Sequence, residues 1–144
     1  MKTGKKRGPL VRVIRPIMKL VKPKVEVTKL FEGEFEPTAL FVSNHSGASG
    51  PMNLGIYFNE FFRPLGTYEM IGNYKERWQY LYHVFYQRKL KYGKTRSFIL
   101  ATLLAIISRF LYYDMGFIAT YPDARFISTI KKCIDSLKNG QSIL

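Results

Sequence analysis

Asn44 and His45 follow an apolar run, Ala39 to Val42, and precede Ser46-Gly47-Ala48-Ser49-Gly50 and Pro51. Imidazole titrates near neutrality, so a positioned histidine can take the proton of a hydroxyl as that hydroxyl attacks. The β-forming run, the Gly/Ser loop and a proline suited to the first helical position predict a strand, a loop and then a helix from about 51 to 61. In open α/β sheets ligands sit at the carboxyl ends of the strands, where a helix N-terminus offers free N–H groups to an anion. His45 reads as a general-base candidate on this placement. The plain alternative is a histidine capping a turn.

The segment resembles the first motif of the glycerolipid acyltransferases, the family of the lysophosphatidate and glycerol-3-phosphate acyltransferases, which reads Asn-His-x-x-x-x-Asp-Pro. Here Asn44, His45, four spacer residues and Pro51 match, and Gly50 stands where the family has Asp. Gly116-Phe-Ile-Ala-Thr-Tyr-Pro-Asp-Ala-Arg125 is similar to the second motif, Gly-x-Ile-x-(Val/Ile)-x-Arg-x-x-Arg, with Pro122 in place of the first Arg. Residues 126–144 look like the helix, Gly turn and strand that lead into the third motif, Phe-Pro-Glu-Gly. The expectation is a domain truncated just before it.

The resemblance implies an acyltransferase of phospholipid biosynthesis. A fatty acyl group would pass from a thioester, acyl-coenzyme A or acyl-carrier protein, to a hydroxyl of a lysophospholipid or glycerol phosphate. The acyl donor enters as co-substrate, and no bound cofactor or metal is expected. His45 would be the catalytic base, with Asn44, Ser46, Gly47 and Gly50 lining the loop. Loop N–H groups could hold a phosphate or a developing oxyanion. Arg125 is the candidate phosphate ligand, suited to a bidentate grip.

In the family the Asp orients the imidazole, and Gly50 cannot. Glu69 is the first candidate to replace it, on the expectation that it ends the adjacent parallel strand; Glu60 and Asp123 follow. A backbone carbonyl holding the imidazole is a second explanation, and a non-catalytic lipid-binding relative is a third.

The 144 residues are the size of one domain, and 47% hydrophobic composition provides for a core. The expected fold is α/β, a mostly parallel central sheet flanked by helices, incomplete at its C-terminal end. Residues 1–23 form a basic amphipathic segment and 24–144 the first part of the catalytic domain. The formal charge of +13 is concentrated in residues 1–25, which hold nine Lys/Arg and no acid, and between Tyr74 and Ser97. Such charge seeks phosphates. From Pro9 to Lys22 the cations Arg12, Arg15, Lys19 and Lys22 recur at helical spacing opposite Leu10, Ile14, Ile17, Met18 and Val21, with Pro16 as a possible break. This predicts a peripheral protein on an anionic membrane surface at the cytoplasmic face. A nucleic-acid-binding protein is the disfavoured alternative, because the cations segregate with apolar helix faces and no known module's motif is present.

No uninterrupted apolar run reaches spanning length, since Phe98 to Ser108 is cut by Arg109. Arg12, Arg15 and Lys19 likewise interrupt any signal-peptide core. The single Cys133 excludes an internal disulfide and reads as a buried helical residue. Further expectations are strands at 24–30, 39–43 (central), 63–70, 116–120 and 141–144. Helices are expected at 74–90, with Trp78, Tyr82, Phe85 and Tyr86 on one face, at 96–113 and at 125–138. His83 is expected to pack among those rings or lie at the surface.

Overall fold

The computed structural model describes residues 7–21, 25, 26, 28, 30, 32–44 and 49–144. Its elements are α1 (Pro9–Val21), α2 (Ser49–Tyr57), β1 (Leu65–Thr67), α3 (Tyr74–Gln79) continuing as a π-helix (Tyr80–Lys89), α4 (Lys94–Asp114), β2 (Ile118–Thr120) and α5 (Phe126–Lys138). The result is a largely helical chain with a small parallel sheet between its helices, compatible with a mixed α/β architecture.

β1 and β2 pair in parallel, Leu65 with Ile118 and Thr67 with Thr120. Two further extended segments join through parallel bridges, because Ile143 pairs with both Leu40 and Arg63. The Phe41 N–H donates to the Ile143 carbonyl at 2.8 Å, and the Leu65 N–H donates to the Leu144 carbonyl at 2.7 Å. The lateral order is therefore 39–41, 142–144, 63–67, 118–120. This corrects one expectation: the run at 39–43 is not central. Among the described residues it is paired on one side only, Leu40 and Val42 are exposed, and residues 142–144 take an inner place. Of the strand expected at 24–30, the described residues 25, 26, 28 and 30 show no strand, and the rest lie outside the described set.

Two glycines steer helices into strands. α4 ends at Met115, after which Gly116 at φ +65° lets the Phe117 N–H reach the Tyr112 carbonyl and its own N–H reach that of Tyr113. Gly140 at φ +69° repeats this after α5, with Gln141 bonded to Ser136 and Gly140 to Leu137. Both are left-handed helix stops, a conformation that costs only glycine little. α3 begins at a reciprocal cap in which Asn73 accepts from the Glu76 N–H and Glu76 accepts from the Asn73 N–H. Pro16 does not divide α1, which is continuous.

The helix expected at 74–90 exists, but its repeat widens at Tyr80. Its buried positions run Arg77, Leu81 and Tyr86, a step of four followed by a step of five. Leu81 and Tyr86 meet Ala101 and Ala105 of α4, with Trp78, Tyr82 and Phe85 packed around them. His83 is exposed at the edge of the Trp78 and Tyr82 rings. Arg77, read from sequence as part of a basic surface, is instead buried. Its Nε donates to the Ala105 carbonyl at 3.0 Å and a terminal nitrogen donates to the Gly72 carbonyl. Burial also pushes the Tyr112 hydroxyl up to about 12, with neighbouring Tyr80 and Tyr86 adding to the shift.

A second core joins Ile118, Cys133 and Ile143, flanked by Leu65 and Leu137. Arg63 stitches its elements together, donating to the Gly116 carbonyl at 2.6 Å and to Ser136 Oγ at 2.7 Å. α4 departs from expectation in another respect. It is 21 residues long, with a mean hydropathy of 1.4 over an 18-residue window, so by length and composition it reaches membrane-crossing size despite Arg109.

The buried hydroxyls of α4 and α5 predict opposite outcomes. Ser108 Oγ is buried with no hydrogen-bond partner among the described residues, whereas Thr129 Oγ1 donates to the Ala119 carbonyl at 2.7 Å. Urea unfolding should show Ser108→Ala neutral or stabilising by about 1 kcal/mol and Thr129→Val destabilising by about 1 to 2 kcal/mol.

Candidate functional site

Because the four extended segments run in parallel, the chain leaves all of them at one edge. The connections after 41, after Thr67 and after Thr120 gather there. Asn44 lies in the first, exposed. The expectations for His45, Ser46 and Gly47 fall on residues outside the described set. Their flanks are placed: Asn44 follows the paired segment, and α2 opens at Ser49, two residues earlier than Pro51 suggested. The flanks approach closely. A Cβ built on Gly50 would lie 3.6 Å from the Asn44 carbonyl oxygen, in ordinary contact, and Gly50 has no positive φ. A Cβ is therefore accommodated at the position where the family motif carries its Asp, in the first turn of a helix that favours negative charge.

Glu69 lies in a short 3₁₀ turn, Tyr68–Met70, directly after β1. Its carboxylate accepts from the Thr67 hydroxyl. The strand carrying it is not adjacent to the one that leads to Asn44, since 142–144 runs between them. Two strand spacings amount to about 10 Å. Glu69 as the orienting partner of His45 therefore loses the adjacency on which it was chosen.

Arg125 sits at the start of α5, and its guanidinium grips Asp123 in a fork, Nε to Oδ1 at 2.9 Å and Nη2 to Oδ2 at 2.7 Å. The same group lies over the rings of Tyr121, 4.5 Å from the centroid, and Tyr68, 5.2 Å. Those rings stack on each other at 5.3 Å. Sequence reasoning missed the two tyrosines. No local sequence signal marks them; the strand register, Thr67 with Thr120, brings the next residues, Tyr68 and Tyr121, together as neighbours. The fork also engages Asp123, one of the carboxylates considered for His45, with Arg125. Glu60, the remaining candidate, precedes the 63–67 segment at the opposite edge, where its backbone carbonyl accepts from Arg7.

That opposite edge holds a cleft of about 560 Å³ lined by Arg7, Arg12, Arg15 and Lys19 with Phe41 and Phe61. Here the basic segment serves its own domain. Arg15 donates to the Ile56 and Phe58 carbonyls at 2.6 and 2.7 Å, and Arg7 donates to that of Phe58 at 2.8 Å, so both satisfy groups at the C-terminal end of α2. Burial pushes both guanidinium pKa values down. Asp114 accepts from the Val11 N–H at 2.7 Å and completes the start of α1. The expectation that all the cations of α1 face a membrane is corrected for Arg15, whose guanidinium turns inward.

Among the described residues, no cluster of three or more His, Cys, Asp or Glu side chains could hold a metal ion. Burial pushes the Cys133 thiol pKa up, as suits a packed rather than a reactive cysteine. No protein-family model matches the chain, and no curated protein or solved structure matches it either.

The Arg125 fork holds the Asp123 carboxyl down at about 2, first through the side-chain hydrogen bond and then through the Arg125 N–H. An unperturbed aspartate titrates near about 3.9, so the pairing favours the fold fully above about pH 4 and the contribution is lost as pH falls through about 2. Carboxyl NMR titration should place Asp123 near 2 in the parent chain. In Arg125→Gln it should return toward the ordinary aspartate range.

Proposed function

We propose that this chain supplies the histidine-bearing part of an acyl-transfer site working on phosphate-bearing lipid acceptors at a membrane surface. The observation that carries the reading is the route of the backbone through Asn44. A segment paired in a parallel sheet passes to the motif loop and then into the N-terminus of α2 within a few residues. The resemblance of Asn44-His45-x-x-x-x-Gly50-Pro51 to the acyltransferase motif gives that route its chemistry.

In this reading His45 takes the proton of the acceptor hydroxyl as its oxygen attacks the thioester carbonyl. The C–S bond then breaks, the thiolate leaves, and it recovers the proton from the imidazolium. Free N–H groups at the start of α2 stabilise the oxyanion or bind the acceptor phosphate. Arg125 offers a second phosphate contact once it exchanges Asp123 for the ligand, because a phosphate and a carboxylate compete for the same fork.

Acyl-coenzyme A and lysophosphatidate, with the purified chain, provide the direct assay. His45→Ala should lower turnover by about a hundredfold or more. Gly50→Asp should raise it by about tenfold or more, since a Cβ at this position meets only ordinary contact and Glu69 lies two strands away. Liposome binding without any acyl transfer by the parent chain would assign it instead to the non-catalytic lipid-binding class.

A further inference from the structure

α4 is built with its small residues inward and its large apolar residues outward. Ser97, Ala101, Ala105 and Ser108 are buried, forming a seam at helical spacing that lies against α3 and the π-helix. Phe98, Ile99, Leu103, Ile106, Ile107 and Phe110 are each 52–61% exposed. In water a surface helix buries the large side chains and shows the small polar ones, because burial of apolar area is the favourable term. The reverse arrangement is the one helices adopt against lipid, where small residues allow close approach and bulky apolar ones face the hydrocarbon.

Charge indicates which kind of apolar phase covers this face. From Arg88 to Arg96, around the turn that joins the π-helix to α4, Arg88, Lys89, Lys91, Lys94 and Arg96 are all exposed and no acid intervenes. Such a cluster complements an anionic headgroup layer. It also decides the orientation. The helix is about 31 Å long, enough to cross the hydrocarbon core. Crossing would drag this cationic turn through the bilayer, where charged side chains are costly. Moreover, the helical hairpin begins after β1 and ends before β2, so neighbouring strands hold both of its ends.

We infer that α4 lies in the plane of an anionic membrane, its outward face sunk to the boundary of headgroups and acyl chains and its basic turn among the headgroups. This deepens the membrane-surface reading and places the lipid contact on α4 as well as on α1. It stands independently of the chemistry assigned to His45, since binding is measured without turnover.

Trp78, the chain's one tryptophan, is a built-in reporter: its ring meets Phe98 edge-on at 5.6 Å and its Nε1–H donates to Thr102 Oγ1 at 3.0 Å. Vesicles of phosphatidylcholine and phosphatidylglycerol with brominated acyl chains should quench its fluorescence. High salt, which screens the basic turn but not the apolar face, should leave part of the binding intact. The neutral double variant Leu103→Gln/Phe110→Gln keeps charge and helix propensity, and in high salt should lose about tenfold or more in vesicle partitioning with its circular dichroism unchanged. Full partitioning by the folded double variant, or no quenching of the parent chain, overturns the inference. A stable lipid-free dimer that the same substitutions dissociate would overturn it too, assigning the face to a second copy.

Discussion

Backbone hydrogen bonds along residues 142–144 are the constraint on which the remaining arrangement depends. This stretch lies between 39–41 and 63–65, accepting from and donating to both, and Ser142 Oγ also accepts from the Ala39 N–H. Without it the segment leading to Asn44 would have no partner in the sheet. The bonds join residues about eighty to a hundred positions apart, and parallel pairing requires a crossover connection rather than a tight turn. Local preference cannot hold these short segments extended; the buried Ile143 and the ladder around it do so jointly.

Around that ladder the helices are attached by polar contacts more than by large apolar interlocks. Arg63 reaches the turn before β2 and the end of α5, Thr129 bonds to β2, Arg77 penetrates the seam of the helical hairpin, and Arg15 closes α2. The residues α4 and α5 bury are mostly small, while Ile127, Ile130 and Ile134 of α5 stay outward as their counterparts on α4 do. Polar stitching of this kind fixes geometry, because each bond has one partner and a narrow range of angles. It leaves the apolar area available for contacts outside the chain, and on α4 that area adjoins the exposed basic turn.

The candidate site sets the first turn of α2 close to Asn44 and holds a cation already in use. A Cβ on Gly50 would meet the Asn44 carbonyl in ordinary contact, and Arg125 is held by Asp123 above two stacked tyrosines. A guanidinium held by a carboxylate and an aromatic face is pre-oriented, and an incoming phosphate would find it in one geometry at the expense of displacing the aspartate.

Periodicity and punctuation in the sequence determined most of the helices. The spacing of apolar and basic residues and the glycine turns are local signals, and they located α1, the 74–89 helix, α4, α5 and β2 within a few residues. About Asn44 the sequence also placed a paired extended segment before it and a helix after it. The lateral order of the strands was decided only by tertiary structure, because pairing energy depends on which segments meet rather than on what either one is. That order moved 39–41 to the edge and separated Glu69 from Asn44. Tertiary structure likewise turned Arg77 and Arg15 inward, since a cation's composition is the same whether it meets water or a helix carbonyl. The outward face of α4 was hidden for the same reason: an apolar residue reads alike in a core and on a surface, and only packing tells which phase it was made for.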